Sequence, residues 1–416
     1  RGGLDLRTAE RVDGGGLGYS REHPKIDLED PPEGLGTWRA FQIAFLLMSL
    51  RSTAEYGHPH RENVELIWFP TGGGKTEAYL GLIAFSVFLR YIRDPDDQGV
   101  HAIMRYTLRL LTTQQFQRAS GLICAMEYLR RNKLPKVESP ISIGMWLGGK
   151  TTPNTRNQAE RCLKGLRHQP GSTENKFVLT KCPWCGAEMG PVRLGQGAPN
   201  TIGYEQSSGT VRLKCPDKGC EFNGGLPVHV IDEDVYEQRP DLIIGTVDKF
   251  AMLAWKPEAR SLFGIDENGE REASPPELIV QDELHLISGP LGSMVGLYES
   301  LIEELCIDRR NDTPSVPKIV SSTATIRQYT EQIHSLYGRD STTLFPPPEL
   351  EEGRSFFARY AKDEDGEYLP GKKYVGIHAP GLPSMQTVQV RAFSALMMAP
   401  YQMKAEEQDP WWTLMA

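Results

Sequence analysis

The chain of 416 residues is long enough to bury a substantial core and to contain two or three domains. Its hydrophobic content of 39% and its charged content of 24% are ordinary for a soluble protein. The longest apolar run, residues 41–50, is too short to cross a bilayer, so we expect no membrane partner.

Charge is distributed unevenly along the sequence. The net charge is −8, but residues 101–181 contain 14 Lys and Arg against 4 Asp and Glu. This local balance of +10 leaves −18 for the remainder of the chain. A basic segment in an acidic protein is a candidate track for a phosphate backbone. A solvated surface of long basic side chains is the alternative.

The first 36 residues are rich in Gly, Pro and charge without a clear period, so we expect a linker or the end of an upstream domain. Because the chain starts with Arg1 rather than Met, we expect a fragment or a processed form. Residues 37–50 follow the period of a helix with one apolar face and Thr37 as its cap. Gln42 in this helix can present a donor and an acceptor to an adenine edge; a plain surface glutamine is the alternative.

A phosphate-binding loop comes next. A buried-strand pattern ends at Phe69 and leads into Pro-Thr-Gly-Gly-Gly-Lys-Thr-Glu, residues 70–77, which opens a helix. Glycines let backbone N–H groups close around phosphate oxygens, and the positive end of the helix favours their charge. Lys75 can reach the β and γ phosphates and Thr76 can ligate Mg²⁺; an ordinary glycine-rich turn is the alternative. The expected nucleotide-binding residues of the loop are Thr71, Gly72, Gly73, Gly74, Lys75, Thr76 and Glu77.

Two further predicted strands, residues 99–107 and 141–147, end in polar or glycine-rich loops. Open parallel sheets bind ligands at the carboxyl ends of their strands. Hydroxyl, guanidinium and amide groups there suit a nucleic-acid backbone, and paired glycines allow another backbone to approach closely. The candidate contacts in these loops are Thr107, Arg109, Thr112, Gln114, Gly148 and Gly149.

Residues 176–230 are predicted to form an inserted zinc ribbon. A CxxC pair, Cys182 and Cys185, and a CxxxxC pair, Cys215 and Cys220, can surround Zn²⁺ with four thiolates. Four thiolates leave no coordination position open, so we expect a structural metal rather than a catalytic or redox centre. Such cysteine usage suits a reducing cytoplasm better than disulfides. The remaining cysteines are expected to be buried thiols: Cys124, Cys162 and Cys306.

Beyond the ribbon, residues 240–250 read as an apolar strand that ends in polar residues including Thr246, and residues 277–286 as a strand ending in Asp282, Glu283 and His285. After a phosphate loop, one such acid holds Mg²⁺ and the other orients and deprotonates the attacking water. We assign Asp282 to the metal and Glu283 to the water. A solvated acid pair is the alternative.

A last buried strand, residues 317–326, ends in small hydroxyl-bearing residues including Thr323 and Thr325. Such a turn can hydrogen bond to His285 and carry the state of the γ-phosphate to a neighbouring surface; a Ser/Thr-rich loop is the alternative. From about residue 344 a proline run and an acidic stretch follow, so we expect 344–416 to be a linker or accessory segment.

In this order, the motifs resemble those of the superfamily 2 helicases, first RecA-like lobe, over roughly residues 38–326. The resemblance implies an α/β fold: a P-loop NTPase domain, residues 37–343, with a parallel sheet flanked by helices and the zinc ribbon inserted. It makes Gln42 the adenine-reading glutamine, Thr246 the start of a DNA-contacting motif, and 323–325 the coupling motif. It implies that the second lobe, with its arginine finger, lies outside the chain. The implied catalytic residues are Lys75, Asp282, Glu283 and His285.

The inserted cysteines, together with Phe-Pro-Thr-Gly-Gly-Gly-Lys-Thr-Glu-Ala and Gln-Asp-Glu-Leu-His-Leu-Ile, resemble more closely the DrmA family, the helicase subunits of the DISARM anti-phage system. This implies a bacterial DNA translocase that uses ATP, Mg²⁺ and Zn²⁺ and acts with a companion subunit of the DrmB type. Its expected substrate is single-stranded DNA or a duplex with a single-stranded end. The alternatives are a DNA-repair helicase of related architecture, a nucleotide-gated DNA clamp that separates no strands, and an RNA remodeller.

Overall fold

The structure is a computed structural model, and it divides the chain into two compact units, Arg1–Phe357 and Ala358–Ala416. It describes residues 5–12, 16–23, 37–69, 72–107, 109–194, 199–310, 314–323, 328–347, 349–350, 354–371, 375–378, 381 and 384–405, without the side chains of 109–111 and 399–405.

The described residues form helices and strands, numbered here in chain order. The helices are α1 (Ala40–Ala54), α2 (Lys75–Arg93), α3 (Arg109–Lys133), α4 (Arg156–His168), α5 (Asp232–Gln238), α6 (Gly289–Cys306), α7 (Tyr329–Tyr337) and α8 (Met385–Ala405). The strands are β1 (Ala9–Arg11), β2 (Leu17–Tyr19), β3 (Val64–Trp68), β4 (Ala102–Tyr106), β5 (Ile143–Trp146), β6 (Gly190–Val192), β7 (Asn200–Ile202), β8 (Tyr204–Ser207), β9 (Thr210–Leu213), β10 (Val228–His229), β11 (Leu242–Thr246), β12 (Leu278–Gln281), β13 (Lys318–Thr323), β14 (Thr342–Phe345), β15 (Arg354–Ser355) and β16 (Ala358–Arg359). Short 3₁₀ helices span Val247–Ala254, Pro257–Phe263 and Leu284–Leu286.

The first unit is organised around an eight-stranded sheet in the order β10-β5-β11-β4-β12-β13-β3-β14, with every pair parallel. Alternate strand residues face two separate cores. Met104 and Val280 pack in the core that contains residues of α1 to α4, whereas Ile103 and Ile279 pack in the core that contains residues of α5 to α7. Because helices cover both faces, the central strands carry apolar residues on both faces, as in Leu242–Ile244 of β11 and Leu278–Val280 of β12. The predicted α/β fold with a parallel sheet flanked by helices is confirmed.

The start of α1 differs from the prediction. The helix begins at Ala40, so Thr37 is not its cap; Arg39 occupies the N-cap position. The Arg39 backbone N–H donates to Gln42 Oε1 at 2.8 Å, which is the N3 half of a capping box; the arginine side chain has no acceptor for the other half. This interaction stabilises a helix start two residues later than a cap at Thr37 would give.

The cysteine-containing insertion is built from short antiparallel pairs, β6 with β7 and β8 with β9. β1 and β2 also pair with each other, and Arg7 forms an isolated bridge with Ala187. Residues 5–12 and 16–23, expected within a linker or the end of an upstream domain, therefore contact the insertion. These contacts could not be predicted from local periodicity, because they join residues about 180 positions apart, as Ala9 and Glu188 show with a separation of 179.

β14 is the edge strand of the large sheet and spans the boundary predicted at 343/344. The second unit contains β16 and α8. Within the part of the chain that the structure describes, no helix is both long and apolar enough to cross a membrane.

Candidate nucleotide and metal sites

The phosphate loop joins β3 to α2. Gly72 and Gly74 adopt positive φ angles of 79° and 96°, a backbone conformation that favours glycine, and Gly74 is the N-cap of α2. Lys75 is buried, and its Nζ donates to the Phe69 carbonyl at 2.8 Å. The loop therefore has the backbone and the cation expected of a phosphate cradle; Thr71 lies outside the described residues.

Thr76 and Asp282, the two predicted Mg²⁺ ligands, are joined by Tyr79. The Tyr79 hydroxyl donates to Asp282 Oδ2 at 2.9 Å and lies 3.1 Å from Thr76 Oγ1. Burial, with Tyr106 and Asp282 as further causes, raises the pKa of Tyr79 well above its usual value, so the hydroxyl keeps its proton. Tyr79 is not among the residues predicted from the sequence. Its position one helical turn after Thr76 nevertheless puts both side chains on the same face of α2.

Asp282 follows β12 and is held from a third element. Its Oδ1 accepts a hydrogen bond from the Ser322 hydroxyl and another from the Glu283 backbone N–H at 3.0 Å. Ser322 lies on β13, the strand between β3 and β12, so it borders both the phosphate loop strand and the acid strand. A carboxylate with both oxygens anchored has a fixed orientation, which suits a metal ligand.

Glu283 has a positive φ of 51°, an uncommon conformation for a residue with a side chain. Burial, and next the charge of Asp282, raise the pKa of Glu283. His285 Nδ1 lies 3.4 Å from Glu283 Oε2 and 3.2 Å from Thr323 Oγ1. The histidine thus stands between the predicted base and the predicted coupling motif, of which Thr325 lies outside the described residues.

Gln42 lies against the phosphate loop. It is buried, its Oε1 accepts from the Arg39 N–H, and its Nε2 donates to the Gly74 carbonyl at 2.8 Å. It is therefore not a plain surface glutamine. One N–H and one lone pair of the amide remain for a ligand, so the adenine contact stays a prediction.

Two arginines hold the loop and its helix from outside. Arg39 Nη1 donates to the Gly73 carbonyl at 2.5 Å, and Arg118 of α3 forms an ion pair with Glu77 in the first turn of α2. The predicted nucleotide-binding residue Glu77 is thus engaged with a neighbouring helix.

The predicted DNA contacts follow β4, β5 and β11, but Arg109, Thr112 and Gln114, expected in a loop, lie in the first turns of α3. Gln114 is exposed, whereas Thr112 and Thr246 are fully buried. Thr107 is half-buried, and its hydroxyl has no hydrogen-bond partner within the described part of the chain. The Arg109 side chain lies outside the described residues.

The two glycines after β5 already carry contacts. The Gly148 carbonyl accepts from the Thr151 N–H at 2.8 Å, and the Gly149 carbonyl accepts from Lys176 Nζ at 2.7 Å. A side chain at Gly149 would meet Asn154 at 3.0 Å, so the turn is tight there.

The basic segment is partly neutralised by internal ion pairs. Several of the cations that the structure describes form them, and Arg105 with Glu299 is the most deeply buried of these pairs. The others involve Arg118, Arg130, Arg131, Arg156 and Lys164. The field available to a phosphate backbone is therefore weaker than the local charge balance suggests.

The four predicted zinc ligands come together. Cys182, Cys185, Cys215 and Cys220 are all buried, and their sulfurs lie within 4.8 Å of one another. The Cys185 and Cys215 sulfurs are 3.5 Å apart. Thiolates on a tetrahedral zinc with bonds of about 2.3 Å are separated by about 3.8 Å, so the residues present fit this metal. Below, the first knuckle is residues 182–186 and the second knuckle is residues 215–220.

No family model matches the chain. Over 95% of its length, however, the chain is 35% identical to the DISARM protein DrmA of Bacillus paralicheniformis. The chain is similar to DrmA. This confirms the resemblance that the motifs predicted. The match covers 38% of DrmA, so the chain spans about two-fifths of the length of that relative.

Solved structures also align with the chain. The crystal structure of the DUF1998 helicase MrfA does so with a TM-score of 0.39 and 15% identity, over 76% of this chain and 31% of MrfA. A structure of Mss116p bound to ssRNA and AMP-PNP does so with a TM-score of 0.36 and 11% identity, over 73% of this chain and 42% of Mss116p. The similarity to DrmA rests on the sequence match.

Proposed function

We propose that the chain is the ATP-binding part of a superfamily 2 DNA helicase or translocase that acts in DISARM-type anti-phage defence. The observation that supports this best is the Asp282 carboxylate, anchored by Tyr79 and Ser322 beside a phosphate loop. The similarity to DrmA supports the setting in defence.

Residues of the phosphate loop and of neighbouring elements have separate roles in binding and hydrolysing ATP. The glycine backbone and Lys75 bind the phosphates, while Thr76 and Asp282 are placed to hold Mg²⁺, which would neutralise charge on the transferred phosphoryl group. Gln42 reads the adenine. The pKa of Glu283 is raised, which increases its basicity, so it accepts the proton of the attacking water.

Coupling runs through His285. Its ring lies between Glu283 and Thr323, so loss of the γ-phosphate alters one side of a contact whose other side is on β13. Thr325 would continue this path. The loops with Thr107, Gly148 and Gly149 and the start of α3 with Arg109 and Gln114 would hold a DNA strand that is single-stranded or enters from a single-stranded end. Thr112 and Thr246 are buried and would support these contacts from beneath.

The wider organisation belongs to the same proposal. Residues 37–343 form one RecA-like lobe with the zinc ribbon 176–230 inserted, and the longer protein supplies a second lobe with an arginine finger. Without that trans cation, one lobe binds ATP but hydrolyses it slowly. The proposal also includes a companion subunit of the DrmB type and a cytoplasmic setting, which the similarity to DrmA favours.

The test is ATP turnover by the longer protein that contains this chain, alone and with single-stranded DNA, a duplex with a single-stranded end, or RNA. We expect DNA to stimulate turnover. Glu283→Gln should keep ATP binding and lower turnover by about 100-fold or more, because it removes the general base. Lys75→Ala should lose ATP binding.

Glu267→Gln, at an exposed glutamate, is the matched control and should behave as the unmodified protein. Normal turnover in Glu283→Gln would remove the assignment of the base. Tight ATP binding with no stimulation by any nucleic acid would indicate a clamp, and stimulation by RNA alone would indicate an RNA remodeller.

A further inference from the structure

A segment near the start of the chain, residues 5–12 and 16–23, covers the cysteine cluster. Arg7 donates its backbone N–H to the Gly186 carbonyl at 2.9 Å and accepts from the Glu188 N–H at 3.0 Å. The Ala9 N–H donates to Glu188 Oε2 at 2.9 Å. The segment therefore adds a short stretch of paired backbone to the strand that leaves the first knuckle.

The Arg7 side chain reaches the second knuckle. Its Nη1 lies 2.8 Å from Asp217 Oδ2, while the Arg7 backbone N–H is bonded to Gly186 of the first knuckle. The other oxygen of Asp217 accepts from the Gly219 N–H at 2.9 Å, which holds the carboxylate within the second knuckle. Arg7 is only 6% exposed, so one buried residue joins both halves of the cluster, through its backbone and its guanidinium.

Two more side chains of this segment face the same place. The Tyr19 ring lies under the Arg7 guanidinium, 4.8 Å from centroid to carbon. A ring nitrogen of His23 lies within 4.8 Å of the Cys185 sulfur and of an Asp217 oxygen. Arg7, Tyr19 and His23 thus supply N–H groups and a cation-supporting ring around the thiols.

Charge explains why such groups matter. Four thiolates exceed the charge of Zn²⁺ by two, and surplus negative charge in a buried site is costly unless N–H donors or cations surround it. The backbone supplies one of these N–H donors, since the Phe222 N–H donates to the Cys220 sulfur at 3.5 Å. Asp217 adds a further negative charge beside the cluster, which increases the need for a cation.

We propose that Arg7 and His23 are outer-sphere residues of the zinc site, so that zinc binding and the docking of residues 5–12 and 16–23 stabilise each other. Outer-sphere partners orient the ligands and neutralise their charge. Their loss typically lowers metal affinity by about 10- to 100-fold. The zinc site then anchors whatever precedes the main sheet, besides stabilising its own loop.

The test measures zinc affinity by competition with a chromophoric chelator, using the full chain. Arg7→Met should bind zinc about 10- to 100-fold more weakly. Arg7→Lys should have a zinc affinity between those of the unmodified protein and Arg7→Met, because it keeps the charge and loses the planar guanidinium. Arg11→Met, at an exposed arginine of the same hairpin, is the matched control and should leave the affinity unchanged.

Asp217→Asn provides a second route to the same contact. It removes the ionic partner of Arg7 and keeps the oxygen that accepts from Gly219, so it should loosen the segment without opening the knuckle. Circular dichroism verifies that each variant is folded. The absorption of the cobalt-loaded variants should remain that of a four-thiolate site, because no ligand is changed.

A second measurement, the rate of tryptic cleavage, reports directly on whether the segment near the start of the chain is docked. Trypsin should cleave after Arg11 and Arg21 faster once zinc is removed by the chelator. Equal zinc affinity in Arg7→Met and Arg11→Met would overturn the outer-sphere role. Unchanged cleavage on zinc removal would overturn the coupling to docking, and a purified protein that holds no zinc would overturn both.

Discussion

At the scale of single residues, Tyr79 is the feature that joins the candidate nucleotide site. Its buried hydroxyl connects Thr76 at the start of α2 with Asp282 after β12. Both partners are predicted Mg²⁺ ligands, so the position of each depends on one phenol. Tyr79 itself is placed to touch ligands rather than the reacting phosphate, which makes it a positioning residue.

We expect Tyr79→Phe to weaken the Mg²⁺ dependence of ATP binding about 10-fold or more, because Asp282 loses the donor that orients it. The measurement is a titration of Mg²⁺ followed through the fluorescence of a bound ATP analogue. This readout does not depend on turnover, so it separates positioning of the metal from catalysis.

Tyr91→Phe is the matched control for this change. Tyr91 lies on the same helix, is equally buried, and donates to Asp241 at 2.7 Å, at the other end of the sheet. Each phenylalanine should cost about 1 kcal/mol in the free energy of unfolding for one lost hydrogen bond. If both variants shift the Mg²⁺ titration equally, Tyr79 has no special role at the site.

At the scale of elements, Asp241 fixes where several of them start. It directly precedes β11, and its carboxylate accepts from the Ser142 N–H and from the Tyr91 hydroxyl, each at 2.7 Å. Its backbone carbonyl accepts from the His101 N–H at 2.8 Å. One aspartate thus ties together the starts of β4, β5 and β11 and the end of α2.

Burial raises the pKa of Asp241 from 3.8 to about 7. A raised native pKa contributes stability that is fully present below the unfolded pKa and is lost as pH rises through about 7. We therefore expect the stability advantage of the unmodified protein over Asp241→Asn to shrink from pH 4 to 7, by up to about 1.4 kcal/mol per pH unit.

Denaturant unfolding at several pH values measures this difference. The comparison with the variant is needed because His101, 3.2 Å from the Asp241 carboxylate, acts in the opposite direction. Burial lowers the pKa of His101, so its contribution to stability is lost as pH falls below its ordinary value of 6.5. A difference that is constant over this pH range would contradict the raised pKa of Asp241.

At the scale of the whole first unit, the two edges of the parallel sheet have separate chemistry. The carboxyl edge carries the phosphate loop, Asp282 and the predicted DNA loops, while the amino edge carries the Asp241 network. An exposed lysine lies at each edge. Lys150 follows β5 at the carboxyl edge, and Lys133 is the last residue of α3 at the amino edge.

If DNA lies along the carboxyl edge, Lys150→Ala should weaken DNA binding for all sequences and reduce the slope of log K against log salt by about one. Lys133→Ala removes the same charge at the other edge and should change neither quantity. Fluorescence anisotropy over a salt series measures both variants. Equal effects of the two changes would indicate a general charge effect rather than a track at this edge.

Short motifs were predictable because their chemistry depends on spacing along the chain. Each of these motifs places its binding groups within a few residues of one another: the glycine run before Lys75, the adjacent acids at 282 and 283, and the two cysteine pairs. The order of these motifs carried the resemblance that implied a parallel sheet flanked by helices, and the observed α/β fold agrees.

By itself, the sequence predicted the phosphate loop, the acid pair and the grouping of four cysteines, and it carried the similarity to DrmA. Only the tertiary structure decided which side chains support them. Tyr79 is 203 positions from Asp282, and Arg7 is 210 positions from Asp217. A lone tyrosine or arginine has no local pattern that distinguishes it from a core or surface residue, because its role arises only when distant segments meet.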